Sequence, residues 1–154
     1  MTAPAPATRS VVVEREIPHP PEKIWCALTR PELMEEWLMH NDFQAVVGHR
    51  FTLSGNWGGT LACEVLALDR HRSLSYSWNH AHADPAYALE STVTFTLTPT
   101  PAGTLLRVEQ QGFRPGQKQA FGGASAGWRD KLARLERLLD AGGTAPTPIP
   151  ETEQ

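Results

Sequence analysis

Three groups of side chains in this sequence are chemically capable. His80, His82 and Asp84 stand at i, i+2 and i+4, a spacing that puts three metal-capable groups on one face of a strand. The intervening Ala81, Ala83 and Pro85 read as loop, no further ligand is identifiable, and the spacing matches no zinc signature. No metal site is expected. Arg15 shares a strand face with Val11, Val13 and Ile17, and a charge among apolar neighbours needs a partner. Its fork could read a ligand carboxylate or phenolate. The favoured alternative is an exposed strand face or an ion pair with a helix glutamate such as Glu36. The third group is aromatic. Tyr76, Trp78, Phe95, Phe113, Trp128 and Trp57 could converge on one apolar space, the usual makeup of a ligand pocket. Taken singly, each is better explained as core filling; as a set they read as a pocket wall once the fold supplies a cavity.

Other chemistry is thin. There is no GxSxG, P-loop or dinucleotide-binding glycine pattern, so no cofactor is expected. An acid or base for catalysis could be sought only in Arg15, Tyr76 or His80, and no catalytic residue is assigned. His19, His40, His49 and His71 fall in turns and read as solvated, while Arg107 and Glu109 share a solvated strand face. Cys26 and Cys63 form no CxxC pair and read as buried free thiols.

The elements that must position these residues are legible from hydrophobic period. Phe121, Ala124, Trp128, Leu132, Leu135 and Leu139 fall on one face of a helix over about 121–140, stopped by Gly142-Gly143. A helix of that length spans ~30 Å, enough for a curved sheet to wrap around. Gly122, Gly123 and Gly127 crowd its first turns. They mark either a frayed start or room left between helix and sheet. Before it, period-two alternation predicts strands at 10–17, 42–46, 50–54, 60–68, 73–79, 88–98 and 104–111. Two short helices follow the first strand, opening at Pro21 and Pro31. Strand, two short helices, about six strands and a long helix make an α+β architecture with an antiparallel sheet buried on one face.

Composition sets the outer limits. The 154 residues fit one domain, expected at 10–141 between flexible tails at 1–9 and 142–154. A net charge of -3 without a basic stripe argues against nucleic acid as a partner. No apolar run approaches the ~18 residues of a membrane span, so no membrane insertion is expected. Met1 to Thr8 has neither a basic start nor an apolar stretch, so no signal peptide is read and a cytoplasmic location is expected.

Several local motifs carry a family resemblance. They are Arg15-Glu16-Ile17-Pro18-His19-Pro20-Pro21-Glu22-Lys23-Ile24-Trp25, then Leu28-Thr29-Arg30-Pro31-Glu32-Leu33 with Trp37, and Val47-Gly48-His49-Arg50-Phe51. Leu74-Ser75-Tyr76-Ser77-Trp78, Gly103-Thr104-Leu105-Leu106-Arg107-Val108 leading to Gly112-Phe113, and Gly127-Trp128 complete the set. With the element order, they resemble the activator-of-heat-shock-protein-90-ATPase-like branch of the START and birch-pollen-allergen (SRPBCC) superfamily, over about residues 10–141. The early proline-tryptophan block and the terminal Gly-Trp helix are the most specific parts. The resemblance implies a helix-grip fold: a curved antiparallel sheet of about seven strands around the long C-terminal helix. It also implies a deep cavity holding an apolar or aromatic small molecule, and no universal catalytic motif. Three functions are open: a small-molecule binding protein, expected first; a cyclase- or hydratase-like enzyme acting on an aromatic polyketide-type substrate; and a chaperone ATPase activator. The last would call for a chaperone-binding domain or a basic surface, and neither is evident in the sequence. A homodimer is left open.

Overall fold

The computed structural model describes residues 9–55, 59–80, 89–113 and 117–141. The chain runs β1 (Arg9–Ile17), α1 (Pro21–Thr29), α2 (Pro31–Trp37), β2 (His40–Asn41), β3 (Arg50–Ser54), β4 (Thr60–Asp69), β5 (Ser73–His80), β6 (Leu89–Thr100), β7 (Gly103–Phe113) and α3 (Lys118–Asp140). The strands form one antiparallel sheet in the order β1-β7-β6-β5-β4-β3-β2. Five consecutive hairpin-type pairings build the run from β2 to β7. The first strand then closes against the last, with Val13 opposite Val108 and Arg15 opposite Leu106.

Alternation decides which face is dry. Leu74, Tyr76 and Trp78 are buried on β5, and their partners Phe95, Val93 and Ser91 on β6 are buried with them. Leu106, Val108 and Gln110 continue the same face on β7. Against this face lies α3, which also packs on α1 and α2. Trp128, Leu132, Leu135 and Leu139 are its buried stripe, at the spacing expected of a helix. This is the α+β helix-grip arrangement. Pro21 and Pro31 each open a short helix, and the Trp37 indole N–H donates to the Ala27 carbonyl at 2.7 Å, locking α2 onto α1.

Two boundaries differ most from the sequence reading. The strand expected at 42–46 is absent; the edge strand is the two-residue β2 just before it. Local side-chain bonds take the ladder's place. The Asn41 amide donates to the carbonyls of Pro31 and Met39, and its oxygen accepts from Phe43 N–H. The Asp42 carboxylate accepts the Thr52 N–H at 2.7 Å. The long helix begins at Lys118, with Phe121 N–H bonded to the Gln117 carbonyl at 2.9 Å.

One glycine is needed for the last strand to turn. Gly112 has φ of 120°, open to glycine but rarely to other residues. A Cβ there would stand 2.5 Å from the Glu90 carbonyl oxygen. The bend delivers Phe113 to the buried side, where it meets Phe121 at 5.6 Å.

Candidate functional site

The two halves of α3 are built differently. From Leu132 onward its large aliphatic residues fill the space against the sheet. Toward its start, Gly123, Ala124 and Gly127 present almost no side chain, and a cavity of about 260 Å³ remains. That is slightly under the usual range for small-molecule pockets. Among the described residues beyond its own helical turn, a Cβ on Gly123 would meet nothing within 4 Å, and one on Gly127 would meet the end of Lys131. Of the two readings of this glycine cluster, room between helix and sheet is the one its surroundings support.

The opposite wall comes from the sheet: Trp78 and His80 of β5, Leu89 of β6, and Gln110 and Phe113 of β7. Met39, Leu61 of β4, and Trp128 and Lys131 of α3 complete the lining. The rings of Trp78 and Trp128 are 5.1 Å apart and tilted by 54°. Phe95 supports Trp128 from behind, edge to face at 5.6 Å.

A buried polar chain fixes this wall. The Trp128 indole N–H donates to the Gln110 side-chain oxygen at 2.8 Å. The Gln110 amide donates to Ser91 Oγ at 3.0 Å, and the Ser91 hydroxyl donates to the Trp78 carbonyl at 2.6 Å. All of these groups are buried. Both tryptophans are thus tied to one network, and full satisfaction makes such a network rigid.

Among the described lining residues the charged group is Lys131. Its ammonium stands 5.8 Å from the Trp128 ring centre. Burial first, then neighbouring Arg134, lowers its pKa from the ordinary lysine value, while Asp130 opposes the shift. Deeper in the core, burial and then the Cys63 thiol push the Tyr76 hydroxyl well up. The Cys63 thiol itself is pushed up to about 12, by burial and then by Asp42.

The structure brings three of the sequence-nominated aromatics to the cavity: Trp78, Phe113 and Trp128. Tyr76 and Phe95 are fully buried in the adjoining core and do not line it. Trp57 lies outside the described residues. Arg15 is away from the cavity; its Nε–H bonds the Glu136 carboxylate of α3 at 2.6 Å. A helix glutamate is its partner, but it is Glu136, not Glu36. His80 lines the cavity, whereas His82 and Asp84 lie outside the described residues. Sequence reasoning missed Gln110, Ser91 and Lys131. The first two carried a signal, since each puts a polar side chain at an inward step of an otherwise apolar alternation. Lys131 had none: a lysine one step off a helix stripe is ordinary.

Comparison with known proteins follows the same lines. The family described as Activator of Hsp90 ATPase homolog 1-like protein matches residues 18–140. Among curated proteins none matches the chain significantly. The crystal structure of MLL2253 from Mesorhizobium loti superposes with a TM-score of 0.85 at 63% identity, over 86% of this chain and 98% of that one. DynU16, from the dynemicin biosynthetic locus, superposes with a TM-score of 0.75 at 27% identity. The match takes in 86% of this chain and 48% of DynU16, so this chain spans about half of that protein. CalU16 from Micromonospora echinospora, at 24% identity and a TM-score of 0.71 over 88% of this chain and 79% of that one, shares the fold. The chain belongs to the Activator of Hsp90 ATPase homolog 1-like protein family and carries that family's START-like helix-grip domain.

Proposed function

We propose that this protein binds a mainly apolar, aromatic small molecule in the cavity between the sheet and the first half of α3, without transforming it. The observation that carries this reading is the pairing of Trp78 of β5 with Trp128 of α3 beside a helix surface stripped of side chains at Gly123 and Gly127. Aromatic walls held by a satisfied polar chain suit a flat apolar ligand. An indole beside a bound ring changes its emission, so titration with hydrophobic aromatic probes reads binding directly. Mass spectrometry of compounds co-purified under native conditions identifies the ligand. Saturable quenching that weakens in Trp128→Leu, with a cooperative melt retained, is expected. A broad probe panel with no saturable response would sink the reading.

One observation favours a second reading, a cyclase- or hydratase-like enzyme acting on an aromatic polyketide-type substrate. DynU16 comes from a biosynthetic locus and is 27% identical. Among the described lining residues the ionisable groups are Lys131 and His80, and proton transfer in the cavity would fall to them. A bound compound recovered chemically altered at a catalytic rate would favour this reading over the first.

A further inference from the structure

The cavity has a cation in its wall and, among the described lining residues, no Asp or Glu. Lys131 is half-buried. No carboxylate of the described residues forms an ion pair with it; the adjacent Asp130 pairs instead with Arg134 at 2.9 Å. The direction of the side chain follows from helix geometry, in which long side chains lean back over the preceding turn. One turn back is Gly127, and the Lys131 Nζ stands 3.5 Å from where a Cβ of that glycine would be. The missing side chain lets the ammonium lie along the cavity edge, beside the Trp128 ring. A half-buried ammonium outside the ion pairs of the described residues is costly to hold, and an incoming anion would offset that cost.

We propose that the ligand is amphipathic, with an apolar aromatic body against Trp78 and Trp128 and a carboxylate that docks on the Lys131 ammonium. This deepens the pocket reading and rests on it. Lysine serves here as a point charge whose three donors suit a carboxylate at the rim of an apolar space.

Isothermal titration of the full chain with 2-naphthoate and with methyl 2-naphthoate separates the two ideas. The probes share the ring system and differ in charge. The wild-type protein is expected to prefer the acid by about tenfold, the value of one charge-assisted contact. Lys131→Met is expected to bring the two probes to equal affinity, and Lys131→Arg to retain the preference. Lys131→Gln is the substitute should the methionine variant fail to melt cooperatively. Equal affinity of both probes for the wild type overturns this inference alone and leaves the pocket reading standing. A preference for the acid that survives loss of the Lys131 charge overturns it as well. Saturable binding of neither probe overturns the pocket reading and this inference with it.

Discussion

The indole N–H of Trp128 and the side-chain oxygen of Gln110, 18 residues apart in sequence, meet at 2.8 Å in the buried wall of the cavity. The bond joins α3 to β7 and orients the ring that the proposed ligand would touch. Gln110→Leu leaves the indole N–H without its acceptor, which costs ~1–3 kcal/mol. The melting temperature should fall by about 2–4 °C per kcal/mol. Trp128→Phe removes the donor itself, so the double variant should lose less than the sum of the singles. Strict additivity in denaturant titrations would deny the bond an energetic role.

The glycines of α3 should show stability and binding pulling in opposite directions. Gly123→Ala places a methyl clear of the described residues and removes a helix penalty of up to ~1 kcal/mol, so it should raise the melting temperature. Gly127→Leu should fill the cavity and remove probe binding while the fold survives, since among the described residues beyond its own turn its Cβ meets the end of a flexible lysine. Probe affinity unaffected by Gly127→Leu would move the ligand elsewhere.

Stability should decline at alkaline pH. The folded protein holds the Cys63 thiol at about 12 against an ordinary 9.0, and holds the Tyr76 hydroxyl above its ordinary 10.0. Raised values mean that the unfolded chain ionises first. The stabilisation is fully present below about pH 9 and is lost as pH climbs toward 12. Urea midpoints measured from pH 7 to 11 should fall on this limb, and less steeply in Cys63→Ala/Tyr76→Phe. At pH 8, iodoacetamide should leave Cys63 unmodified until the protein is unfolded, because the thiolate is the reactive form.

The Arg15–Glu136 pair should matter little. Although the contact is 2.6 Å, the side chains are 41% and 22% exposed, and such pairs contribute at most ~1 kcal/mol. Arg15→Ala should therefore shift the unfolding midpoint only slightly and leave probe affinity as it was. A large affinity loss would restore Arg15 as a ligand contact.

The sequence alone determined the elements and their order. Alternation in Leu74/Tyr76/Trp78 and Val93/Phe95/Leu97, and the stripe through Trp128, Leu132, Leu135 and Leu139, are local periodicities imposed by backbone geometry. Proline-opened helices are local too. Where local side-chain bonding competed with the ladder, at Asn41 and Asp42, the period misled. Tertiary structure decided everything that depends on distance across the chain. Arg15 finds Glu136 over 121 residues. Of the candidate aromatics, Trp78, Phe113 and Trp128 reach the cavity, while Tyr76 and Phe95 are spent on core packing. Lys131 became a candidate only when the fold laid it against Gly127 and Trp128. Hydrophobic period records which face is buried, but not whether the opposing surface fills the space. That depends on side-chain volumes from elements far apart in sequence, and here the small residues at the start of α3 leave the gap.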